Sequence, residues 1–105
     1  MKALELAERI RSNSAPTVID ARSAMEFHHG HIPEAIHAPV LKILLKRARL
    51  PEDRKAELVI TCEHGPRAMM AKQCLAAYGY RNATLLAGHM LGWRRAGLLL
   101  EEGAR

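Results

Sequence analysis

Six consecutive residues carry the chemistry this chain can do: Cys62-Glu63-His64-Gly65-Pro66-Arg67. Cys62 supplies a thiol, and the thiolate it forms is a nucleophile. Ahead of it lies Leu58-Val59-Ile60-Thr61, a short apolar run that reads as a buried strand. Behind it lies a helical-looking run, Ala68 to Tyr78. A cysteine at a strand end, a glycine-bearing turn and a helix start make a cup, with backbone N–H groups pointing at whatever sits in it. A free cysteine titrates near about 8.5, and a helix N-terminus with a nearby cation lowers that value. Arg67 is the fixed cation, at the far lip of the cup, and its planar fork suits an anion. Gly65 can take a positive φ, which a tight cup demands. Pro66 has no N–H, so the cradle loses one donor, although proline suits a first helical turn. The amides of Glu63, His64, Gly65, Arg67 and Ala68 remain to hold an anion. The Glu63 carboxylate would oppose an anionic ligand and raise the thiol pKa, and a protonated His64 would partly offset it.

The rest of the chain must place this loop. Residues 2–12 put Leu4, Ala7 and Ile10 at helical spacing. Thr17-Val18-Ile19-Asp20 reads as a second buried strand, and Ser23-x-x-Glu26 as a capping box for a short helix, Ala24 to His28, ended by Gly30. Residues 41–48 place Leu41, Leu44, Leu45 and Ala48 on one side and Lys42, Lys46 and Arg47 on the other, an amphipathic helix with a basic face. The helix after the loop is capped by Gly79. Ala83 to Leu86 is a third strand, Met90 to Ala96 a last helix, and Leu98–Leu100 pack back on the core. Strands alternating with helices predict a mostly parallel sheet covered on both faces. Ligand sites in such sheets lie beyond the carboxyl ends of the strands. Asp20-Ala21-Arg22, Cys62 and Ala87-Gly88-His89 should therefore border one site.

Composition narrows the classes. The 105 residues fit a single domain, 1–105, and 49% are apolar, enough for a core without staples. The net charge of +5 favours anionic partners, but aromatics are 4% and show no base-stacking pattern, so no nucleic-acid partner is expected. Two cysteines, Cys62 and Cys74, are too few for a disulfide-framed secreted domain; Cys74 reads as core. Charges interrupt the N-terminal run, and no apolar stretch approaches the ~20 residues that span a bilayer. A cytoplasmic protein without a membrane partner is expected. His28, His29 and His31 sit at a helix end with no cysteine or carboxylate cluster at ligand spacing, so no metal site is read there. Trp93 reads as core or pocket rim, and Met69 and Met70 as helix packing.

Three separated motifs resemble those of rhodanese-like sulfurtransferases. Val18 to Arg22, Glu26-Phe27 and Gly30-His31-Ile32-Pro33-Glu34-Ala35-Ile36 resemble the opening motif. Leu86 to Leu98 resembles the closing motif, and Cys62 to Arg67 matches the active-site loop in length and placement. The resemblance spans roughly residues 4–100. It implies an α/β three-layer rhodanese-like fold, a mostly parallel five-stranded sheet with helices on both faces. It implies that a sulfane sulfur moves from a small anionic donor such as thiosulfate to Cys62. The resulting persulfide, held by the loop amides, is passed to a cyanide or thiol acceptor. No metal or organic cofactor is implied. Asp20 and Arg22 would be scaffold, an ion pair or backbone bonds tying the first strand to the loop; His31 would be structural. Many members of the family carry a basic residue where Glu63 stands, which disfavours thiosulfate and favours a neutral or protein-bound donor. The basic face Lys42, Lys46, Arg47, Arg49 is either a solvated surface or a dock for an acidic sulfur-carrier protein.

Two other readings stand beside this one. A cysteine phosphatase or arsenate reductase loop needs one more residue between cysteine and arginine than the four found here. A non-catalytic interaction or regulatory module could keep the same fold, though such a module would be signalled by loss of the cysteine.

Overall fold

The computed structural model describes residues 1–103. Its elements are α1 (Ala3–Arg11), β1 (Thr17–Asp20), α2 (Ala24–His29), β2 (Ile36–His37), α3 (Val40–Leu44), β3 (Leu58–Thr61), α4 (Pro66–Ala77), β4 (Ala83–Leu85) and α5 (His89–Arg95). The strands are parallel, in the order β2-β1-β3-β4. β1 and β3 are buried almost throughout because both faces of the sheet are covered. Their side chains alternate between two cores. Ile19, Leu58 and Ile60 pack with Ile43 of α3 and Ala68, Ala71 and Leu75 of α4. Val18 and Val59 pack with Leu6 of α1, Phe27 of α2 and Met90 and Trp93 of α5. The sheet is thus the middle of three layers, as the alternation of strands and helices predicts.

Among the described residues the sheet has four strands, not five. Beside β4 only Met1 continues the ladder, donating to Leu85 O (3.1 Å) and accepting from Ala87 N–H (2.8 Å). Ala3 then opens α1, so one residue of pairing never becomes a strand. The capping box of α2 is present in full: Ser23 Oγ accepts from Glu26 N–H and the Glu26 carboxylate accepts from Ser23 N–H. Gly79 follows α4 with φ 97°, as its capping role requires.

The 41–48 helix is the clearest correction. α3 ends at Leu44, after five residues, and Lys46 turns the chain with φ 57°. Ile43 faces the core, while Leu41, Leu44 and Leu45 are exposed. Only one side of so short a helix reaches α4, and the i, i+4 stripe has nothing to pack on. Met69 and Met70 are likewise exposed on α4, whose inner face is Ala68, Ala71 and Leu75. Leu98 and Leu100 pack on the α1–α5 side as expected, whereas Leu99 points outward. No described helix is long and apolar enough to cross a membrane.

Candidate active site

β1 leads to β2 on one side of it, and β3, its neighbour on the other side, leads outward to β4. The carboxyl ends of β1 and β3 therefore flank a topological switch point, where open parallel sheets keep their ligand sites. Asp20 pairs in register with Thr61, so Cys62 emerges level with Ala21.

Cys62 is a free thiol with no solvent exposure. It belongs to the α3–α4 core together with Ala68. The Gly65 N–H donates to its Sγ at 3.0 Å, so the loop does fold its amide back on the sulfur. Gly65 has φ 131°, and a Cβ built there would lie 3.2 Å from His89 Nε2. Glycine is required on both counts. Pro66 takes the first position of α4, where a missing N–H costs nothing. The helix starts there, two residues before the predicted Ala68.

The start of α5 holds the loop from the other side. The Met90 N–H donates to Cys62 O (2.9 Å) and the Leu91 N–H to Glu63 O (3.4 Å). The Cys62 N–H donates to His89 Nδ1 at 3.3 Å. Burial, and after it the charge of His64, lowers the pKa of His89. His64 itself is exposed on the loop.

Arg67 is not a free cation. Its guanidinium grips both oxygens of Glu26, at 2.6 and 3.0 Å. Chiefly through that bond, the Glu26 carboxyl is held down at about 2, with the Ser23 cap assisting against burial. Arg67 is raised in turn, by Glu26 first and more weakly by Cys62 and Asp20. Glu26 thus performs two tasks, capping α2 and tying it to α4.

Glu63 is paired as well. Arg94 of α5 bonds both its oxygens, and Arg22 lies 3.7 Å away. Arg94 is the main reason its carboxyl stays ionised below the usual range. Arg22 is buried against Asp20 (2.8–3.2 Å) and also donates to Gly30 O at 2.7 Å. Asp20, Arg22, Glu63 and Arg94 form a string of alternating charges from β1 through the loop to α5. The Glu63 charge expected to repel an anion is therefore flanked by two cations.

His31 is not part of this constellation. Its ring stacks on Phe27 at 3.8 Å and Nδ1 bonds Phe27 O, while its backbone bridges to Glu101. Among the described residues no three His, Cys, Asp or Glu side chains converge as metal ligands. Sequence reasoning missed Glu26 and Arg94 as site residues, and took His89 only as part of a bordering segment. The capping box had already accounted for Glu26 locally. Arg94 lies 31 residues from its partner, and nothing in its own neighbourhood marks the pairing.

A cysteine loop at the switch point of a parallel three-layer α/β sheet defines the structural class. Within it, the family model for the rhodanese-like domain matches residues 2–96. The chain belongs to the rhodanese-like family. It is 31% identical to a sulfurtransferase of Allochromatium vinosum over 89% of this chain and 85% of that protein. It is 36% identical to a helix-turn-helix-type transcriptional regulator of Mycobacterium tuberculosis, over 97% of this chain but only 46% of the regulator. A rhodanese-related protein from Thermoplasma volcanium superposes with a TM-score of 0.80 at 28% identity, covering 96% of this chain and 95% of that one.

Proposed function

We propose that this chain is a sulfurtransferase that carries sulfane sulfur on Cys62. One observation carries the reading: the Gly65 amide donates to the buried Cys62 sulfur just beyond the carboxyl end of β3. Membership of the rhodanese-like family and the similarity to a sulfurtransferase support it.

With thiosulfate as donor, the Cys62 thiolate attacks the outer sulfur. The S–S bond of the donor breaks and sulfite leaves with its electron pair. Cys62 is left as a persulfide anion, which the amides of Gly65, His64, Glu63 and Ala68 stabilise. A thiolate or cyanide then attacks the terminal sulfur, takes it as a persulfide or thiocyanate, and returns the Cys62 thiolate. Arg67 binds the anionic donor, which must first displace Glu26. That competition makes thiosulfate a weak donor here. Glu63 contributes less opposition than its charge alone predicts, because Arg94 and Arg22 offset it.

An acidic sulfur-carrier protein is the favoured physiological donor or acceptor. Lys42, Arg47 and Arg49 line a surface cavity of about 380 Å³ with His37 and Ile36. Exposed Leu41 and Leu44 lie with Lys42 on α3, and exposed Leu45 caps its end. The domain is taken to work as one unit in the cytoplasm.

The test is intact-protein mass after exposure to thiosulfate, mercaptopyruvate, glutathione persulfide and a protein persulfide. One added sulfur, lost in Cys62→Ser and kept in Cys74→Ser, is expected. No gain with any donor would favour the second reading, a regulatory module, which the likeness to a transcriptional regulator supports.

A further inference from the structure

We propose that His89 is a positioning residue for the loop: a neutral imidazole whose Nδ1 holds the Cys62 amide and whose Nε2 edge packs on Gly65. It thereby sets the direction in which the Gly65 N–H faces the sulfur.

Three observations meet here. His89 has φ 51°, a left-handed conformation that a side-chain-bearing residue keeps only where its surroundings hold it. Its ring is largely buried and spans the first turn of the loop, from the Cys62 N–H at 3.3 Å to the space beside Gly65. The Gly65 amide, at the far end of that span, is the one bonded to Sγ.

The chemistry of the contact assigns the tautomer. A backbone amide only donates, so Nδ1 is the unprotonated nitrogen and Nε2 carries the hydrogen. Protonating Nδ1 would set one N–H against another and break the contact. The charged and titratable groups on the loop and on the elements that border it are Cys62, Glu63 and His64 of the loop, Arg67 of α4, Arg94 of α5, Asp20 at the end of β1 and Arg22 just after it. Glu63, Glu26 and Asp20 already engage the three arginines. What bears on the ring is its burial and the charge of His64, and both favour the neutral form. Acid should therefore loosen the loop through His89, independently of the titration of the thiol.

The role rests on Cys62 as the sulfur carrier, so the test has an arm that needs no sulfur. The amide signals of Cys62 and Gly65 are followed by ¹⁵N-resolved NMR from about pH 5 to pH 8, the range in which imidazoles titrate. Sulfur loading is measured in parallel. In the wild type both amides should shift with one midpoint below the ordinary histidine value, and loading should fall on the same limb. His89→Gly accepts the backbone conformation but offers no acceptor. It should abolish the shift and slow loading by about five- to tenfold, the worth of one hydrogen bond. His89→Asn tolerates the left-handed backbone and presents an oxygen that cannot titrate. It should recover most of the lost rate and show no acid limb of this origin. A wild-type pH profile in His89→Gly, or an unchanged amide titration in His89→Asn, overturns the proposal. The predicted amide shifts in a protein that never loads sulfur would overturn the sulfurtransferase reading and leave His89 in place.

Discussion

At the scale of single residues, the cation of the loop is already matched by a carboxylate, and the proposed anion site has that pair in place. Arg67 holds Glu26 through two bonds, so a donor bound there as proposed would have to exchange with a carboxylate instead of meeting a vacant fork. Glu26→Gln should lower the KM for thiosulfate several-fold with little change in kcat, whereas Arg67→Ala should raise it; steady-state kinetics separates the two. The pair also has a pH signature. The folded-state pKa of Glu26 lies below its unfolded value, so its stabilisation is present above about 4.3 and is lost as pH falls toward about 2. Both side chains are partly exposed, so water screens the pair and the loss should be small, about 0.2–1 kcal/mol. Acid unfolding of wild type against Glu26→Gln, followed by circular dichroism, measures it. Cys62, Gly65 and Arg67 were legible because their chemistry and their spacing are local. The Glu26–Arg67 pair was not, since 41 residues separate the partners and Glu26 already had a complete local explanation in the cap of α2.

Between elements, the loop is fixed by contacts that differ in cost. Gly65→Ala forces a left-handed backbone on alanine and pushes a methyl toward His89. It should destabilise by about 1–3 kcal/mol and be visible as a lower Tm. Arg22→Met would leave the Asp20 carboxylate buried without its cation, a loss of about 3–5 kcal/mol in urea unfolding. Adding Asp20→Asn to Arg22→Met should recover part of it. β1, β3 and α4 were readable because dense apolar runs and a glycine-bearing turn leave few alternatives. α3 was not, because Leu41, Leu44, Leu45 and Ala48 fit a helical stripe, while the helix's fully buried residue is Ile43, with Val40 and Ala48 packed partly against the core. A periodic pattern reports burial only when the helix is long enough to lie on something. The fifth strand failed for a related reason: one residue at the sheet edge makes two hydrogen bonds and then turns into α1.

Over the whole molecule, charge is divided between paired and unpaired groups. Arg9, Arg11, Arg22, Arg67 and Arg94 each have a carboxylate partner. Among the described cations without a carboxylate partner, Lys42, Lys46, Arg47 and Arg49 fall together in one short stretch of chain, on and just after α3. That stretch is the densest run of uncompensated positive charge in the described chain, and it lines the cavity with His37. Replacing Lys42, Arg47 and Arg49 with Glu should slow sulfur exchange with an acidic carrier protein by about tenfold or more, and added salt should slow the wild type in the same direction. Reaction with thiosulfate, measured alongside, should change far less. One last property follows from the depth of the thiol. Cys62 has no contact with water while it sits in the α3–α4 core. A sulfur stored there would outlast an exposed one, because stray reductants could reach it only during brief excursions of the loop. Its shelf life would be set by how often the door opens, and the exchange of the Gly65 amide with deuterium is the clock that counts those openings.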